Sequence, residues 1–104
     1  MSFSIVEGNI LPVMKITLYE DLVPFVIGGS DVMVLTWTKP DGSVHTTTLA
    51  TLVANDGTCT CTWVAGDTDQ PGPHYGQVDL TRSGVTRTFP NNGTLLTWDV
   101  FPHL

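Results

Sequence analysis

Along most of this chain, apolar and polar residues alternate with a period of two. In Val13–Glu20, Met14, Ile16 and Leu18 fall on one side, and Lys15, Thr17 and Tyr19 on the other. In Asp31–Thr38, Met33, Leu35 and Trp37 alternate with Val32, Val34 and Thr36. Such alternation marks a strand with one face turned to a core. Shorter runs predict further strands at Phe3–Glu7, Val23–Ile27, Thr58–Val64, Gly76–Thr81, Val85–Phe89 and Thr94–Phe101. Ser43–Thr48 and Leu49–Ala54 form one long strand or two short ones. The breaks fall on turn chemistry: Gly8-Asn9, Gly28-Gly29, Lys39-Pro40-Asp41-Gly42, Asn55-Asp56-Gly57 and Arg82-Ser83-Gly84. In these, proline presets φ and glycine accepts positive φ. No window carries the 3.6-residue apolar period of a helix.

The pattern predicts an all-β fold, with seven to nine short antiparallel strands in two packed sheets. Strand signals at such short spacing indicate a sandwich, immunoglobulin-like in architecture and without a disulfide. At 104 residues the chain reads as one domain, 1–104, large enough to bury a core without a metal or a disulfide staple. Trp37, Trp63 and Trp98 lie on three separate strands and are expected in that core. Exposed instead, beside polar side chains, they would form a platform for carbohydrate.

Charge narrows the function classes. Charged residues are only 13% of the chain and the net charge is −6, with Lys15, Lys39, Arg82 and Arg87 the only Lys or Arg. Phosphate neutralisation needs a positive face, so nucleic acid is not an expected partner. Threonine carries much of the polar surface, as in Thr46, Thr47, Thr48 and in Thr58, Thr60, Thr62. A surface poor in ions suits lasting protein contacts, since few charges need desolvation on docking. The N-terminus lacks the basic region and apolar run of a signal peptide, and no segment reaches the roughly 18–20 apolar residues of a membrane span. The expectation is a protein made in the cytoplasm, with no membrane as partner.

Candidate chemistry is sparse. Cys59 and Cys61, two apart on one strand, have Cα atoms about 6.5–7 Å apart, at or beyond disulfide reach. Two thiolates half-fill a tetrahedral metal site that His45 or His74 could complete; as reduced thiols they are small buried hydrophobes. Asp67-Thr68-Asp69 resembles half of an oxygen-ligand calcium site, or else Asp67 closes its loop by accepting backbone N–H groups. Glu20-Asp21 reads as solvated charge, and His45 with Cys59 or Cys61 as a remote candidate dyad. His74 lies at a corner and His103 near the end, neither in a nucleophile motif. No phosphate-cradling glycine loop occurs. Neither a cofactor, a metal nor enzyme activity is expected. Tyr75, just after Gly72-Pro73, reads as a corner tyrosine bonding back across the turn, or as an exposed binding tyrosine. Phe89 is expected to fill the core edge, with Pro90 opening the Asn91-Asn92-Gly93 loop.

Three segments carry a resemblance. They are an opening with Phe3, Ile5, Gly8, Pro12 and Leu18, a GDTDQPG corner from Gly66 to Gly72 leading to Tyr75, and the exit Thr88-Phe89-Pro90-Asn91-Asn92-Gly93. Together they resemble the small immunoglobulin-like virion proteins of tailed bacteriophages and are similar to the N-terminal domain of phage baseplate upper proteins. Pro73-His74 stands where that pattern passes more directly from glycine to tyrosine. Baseplate upper proteins continue into receptor-organising domains, so a chain ending at Leu104 implies an accessory subunit: a capsid decoration, a neck or connector protein, or a tail-baseplate module. The resemblance implies other virion proteins as partners, many copies in a symmetric assembly, and residence in the virion. Docking is expected through an exposed sheet edge, or through the N-terminal segment Met1–Glu7 as an arm carrying Phe3, Ile5 and Glu7. The alternative is a carbohydrate- or host-surface-binding module, which exposed tryptophans would favour and buried ones would not.

Overall fold

A computed structural model describes residues 3–20, 22–90 and 95–103. Met1 and Ser2 of the expected arm, Asp21, the Asn91-Asn92-Gly93 loop with Thr94, and Leu104 lie outside the described residues. The chain is all-β. Its strands are β1 (Ser4–Val6), β2 (Met14–Thr17), β3 (Tyr19–Glu20), β4 (Val23–Pro24), β5 (Val32–Thr38), β6 (Val44–Thr48), β7 (Ala50–Val53), β8 (Thr58–Cys61), β9 (Gly72–Arg82), β10 (Val85–Phe89) and β11 (Leu96–Phe101).

A six-stranded sheet runs in the order β1-β11-β9-β5-β6, with β10 also on β9, and faces a three-stranded sheet ordered β2-β8-β7. β3 and β4 form a separate two-stranded ribbon. The long strand β9 organises the larger sheet. β5 pairs with it over 75–81, so β11 (pairing with 72–76) and β10 (pairing with 78–82) follow one another along its other side.

Both alternating segments bury the faces they predict. Met14, Ile16 and Leu18 are inside, as are Met33, Leu35 and Trp37. They meet Cys59, Cys61, Trp63, Val78, Leu80, Trp98 and Val100 in one apolar cluster that joins the two sheets. Fully burying each large aliphatic side chain contributes about 1.5–3 kcal/mol. No helix among the described residues is long and apolar enough to cross a membrane.

Several details differ from the pattern-based expectation. The described strands number eleven rather than seven to nine, because the Val13–Glu20 run divides at Leu18. There the Leu18 N–H turns to Gly57 O (2.8 Å) and its carbonyl accepts from Phe25 N (2.8 Å), leaving the β2 ladder. Ser43–Ala54 divides at Leu49, where the chain leaves the larger sheet for the smaller one. One pairing is parallel, β1 along β11; the two strands come from opposite ends of the chain, so no hairpin dictates their direction. Asn55-Asp56-Gly57 makes a 3-10 turn over Ala54–Asp56, closed by Gly57 at φ 69°. The Arg82-Ser83-Gly84 turn places Ser83 and Gly84 both at positive φ (50° and 79°), which matches the twist of a two-residue hairpin.

Candidate functional site: an uncharged sheet edge beside a corner clasp

The acidic corner is held by a lysine. Lys39, 6% exposed, follows directly on β5 and sends Nζ to Gly66 O and to Asp69 Oδ1 at 2.7 Å. Asp41, two residues on, accepts from Ser43 Oγ (2.6 Å), Ser43 N (2.8 Å) and Gln70 Nε2 (2.8 Å). These hydrogen bonds, those from Ser43 first, hold the Asp41 carboxyl at about 2. The Lys39–Gly42 turn and the Gly66–Gln70 loop thus form one clasp. Asp67 Oδ2 accepts from Val64 N at 2.9 Å, so it closes its loop as the turn reading expects. Thr68 is buried and donates to Asn9 O at 2.7 Å. An ammonium therefore occupies the place a cation would take at Asp69, and no three-carboxylate, histidine or cysteine cluster occurs among the described residues.

Behind the clasp lies an aromatic cluster. Trp37, Trp63 and Trp98 are 1%, 2% and 2% exposed, with ring centroids 5.9–6.0 Å apart. His74 is fully buried against the Trp98 and Trp37 rings, 5.8 Å from each centroid. Its Nδ1 lies 3.1 Å from Gly72 O; a carbonyl only accepts, so Nδ1 carries the proton. Nε2 finds no partner among the described residues, nor do the indole N–H groups of Trp63 and Trp98. Burial in this apolar setting pushes the imidazole below its ordinary 6.5.

Tyr75 departs from the corner reading. Gly72 and Pro73 already belong to β9 and pair with Val100 and Asp99, so the expected corner is strand. Period two then turns His74 inward and leaves Tyr75 outward at 43% exposure. Tyr75 makes no side-chain hydrogen bond among the described residues. Gly72 itself is constrained, with φ 122° and Pro40 Cγ only 3.1 Å from where a Cβ would stand. Phe89 is buried and packs on Phe25 at 5.3 Å between centroids, with half-buried Pro90 beyond it.

The cysteines are free and fully buried. Burial pushes the Cys59 thiol up to about 11, and burial with the nearby Asp67 charge pushes Cys61 up to about 12. His45 stacks on Trp37 (5.0 Å) and contacts Ser43 Oγ (3.2 Å), so its ring is engaged within β6 and its turn.

The N-terminal segment is not a free arm. Ile5 is 3% exposed in the core, and Phe3 packs on Trp63 with centroids 6.0 Å apart. Glu7 N donates to Phe101 O (2.8 Å) and Glu7 Oε1 accepts from His103 N (3.3 Å). The apolar residues read as docking groups instead complete the protein's own sheet.

What remains open is the other side of the sandwich. β6 ends the larger sheet and β7 ends the smaller one, joined through Leu49. No Asp, Glu, Lys or Arg stands between Asp41 and Asp56. Beside β6, on the outer sheet face, a shallow groove of about 250 Å³ is lined by Thr36, Thr38, Val44, Tyr75, Gly76, Gln77 and Leu95. Hydroxyls, an amide and an aromatic ring line it, and none of these side chains is charged. The sequence suggested an exposed edge but not the groove, since Thr36 and Tyr75 come together only through the β5–β9 pairing. The long alternation through Gly72–Arg82 was the signal that could have placed Tyr75 outward. No protein-family profile and no curated protein matches the chain.

Proposed function

We propose that this chain is a non-catalytic, immunoglobulin-like structural subunit of a tailed-phage virion. It docks in many copies on other virion proteins of the capsid, neck or tail-baseplate, as the resemblance in its opening, corner and exit segments implies. The observation that carries the reading is the burial of all three tryptophans at 2% exposure or less, which removes them from any binding platform. The side chains most apt for chemistry are committed inward: both thiols are sealed in the core and His74 is locked among indoles. An uncharged edge with open backbone groups suits strand addition, and symmetry in a particle multiplies a modest interface by avidity.

The test is particle composition. Purified particles from the phage encoding this chain should contain it in multiple copies, with density of this shape at one symmetric location. Particles that lack it would end the proposal. A second reading, a glycan- or host-surface-binding module, draws on the groove at Tyr75, because an aromatic face beside hydroxyl and amide groups suits a sugar. Glycan-array binding abolished by Tyr75→Ala would favour it; no binding by the wild-type chain would remove it.

A further inference from the structure

We propose that β6 is a self-pairing edge, through which two copies of this chain join antiparallel with Thr46 on the two-fold axis. The hydrogen-bond phase of the β5–β6 hairpin decides which groups are open. Lys39 N donates to Ser43 O (3.0 Å) and Leu49 N to Met33 O (2.9 Å). With the register Trp37↔His45 and Leu35↔Thr47, Ser43, His45, Thr47 and Leu49 turn their backbone groups toward β5. Val44, Thr46 and Thr48 therefore aim N–H and C=O away from the sheet. No strand pairs with that side among the described residues.

The other edges are blunted. β7 is broken by an irregularity between Thr51 and Val53, β2 presents exposed Lys15, β10 carries Arg87, and β1 is three residues long. Bulges, charges and shortness are the devices that protect an edge, and β6 has none of them.

A second copy is the partner that fits. Two chains of net charge −6 repel, so they meet most readily where neither presents a charge, and the Gly42–Asn55 segment is that surface. The strand is also self-complementary. On the two-fold, Thr46 faces its own counterpart, Val44 faces Thr48 and His45 faces Thr47. The outward groups supply about six backbone hydrogen bonds, and threonine pairs across strands are favourable.

Sedimentation equilibrium of the full chain over a concentration series tests this on the isolated protein, independently of any particle. Wild type should show a monomer–dimer equilibrium. Thr46→Lys should weaken dimerisation by at least roughly tenfold, with tryptophan fluorescence and the melting temperature at concentrations where wild type is monomeric both unchanged, while Thr51→Lys on β7 should leave it intact. Thr46→Cys should form a disulfide-linked dimer on mild oxidation, since a hydrogen-bonded antiparallel pair holds its Cα atoms about 5.5 Å apart. A wild-type chain that stays monomeric throughout, or a dimer indifferent to Thr46→Lys, would overturn the proposal and leave the edge to a strand of a different protein.

Discussion

The proton on His74 Nδ1 is spent on the Gly72 carbonyl, and Nε2 is buried without a partner among the described residues, so the fold favours the neutral ring. The folded-state value is lowered and the unfolded ring titrates near 6.5. Below that pH the unfolded chain binds more protons, and stability falls as pH drops through 6.5 toward the folded value. Urea denaturation from pH 8 to 4.5 should show this loss, and His74→Phe should flatten the part of it that begins near neutrality. The cysteines act at the opposite limit. Their folded values are raised, so their contribution is present below the ordinary thiol value of 9.0 and is lost as pH rises above it. Both thiols should resist a disulfide reagent in the native protein and react on unfolding. Lys39 is the other committed polar group. Lys39→Met leaves Gly66 O and Asp69 without their partner and should cost about 1–3 kcal/mol by denaturation. Added calcium or chelator should leave the melting temperature unchanged, because the ammonium fills the place at Asp69. A calcium-dependent rise would contradict that assignment.

Among the elements, the connections are specified as strictly as the strands. Gly57 closes the 3-10 turn at φ 69°, and a Cβ there would stand 2.6 Å from Phe25 O and 2.7 Å from Leu18 O. Both are backbone atoms tied into the β2–β4 region, so they have little room to yield. Gly42 at φ 88° has nothing within 4 Å of such a Cβ. Gly57→Ala should therefore cost more than about 3 kcal/mol, against about 1 kcal/mol for Gly42→Ala, as measured by thermal unfolding. Equal effects would mean that φ strain, not close packing, governs both positions. These elements also show what the sequence could reveal. Alternation at Met14–Leu18 and Met33–Trp37 placed the core correctly, since one face of each strand must leave water. Local chemistry at Gly72-Pro73 suggested a corner, but pairing with Val100 and Asp99 carried β9 through it and turned Tyr75 outward. Long-range pairing decided that point, and the alternation along Gly72–Arg82 was its only trace in the sequence. Phe3 and Ile5 read as an arm for the same reason: their partners Trp63 and Val100 lie far along the chain.

Across the whole molecule, the two lateral margins of the sandwich have opposite characters. One margin, β1 with β2, takes up the N-terminal segment and exposes Lys15; the other, β6 with β7, is uncharged and open. Removing residues up to Glu7 should therefore lower stability by several kcal/mol through loss of Ile5 from the core and of the β1 ladder, and loss of particle incorporation by that variant would report unfolding rather than a missing arm. The proposed self-pairing of β6 is read instead through edge variants that preserve the fold, above all Thr46→Lys. The proposed virion role is tested most directly by cryo-electron microscopy, with mass spectrometry, of purified particles produced by the source of this chain. Multiple copies of this sandwich at one symmetric location on capsid, neck or tail are the expected result. Purified particles in which the chain is absent would contradict it.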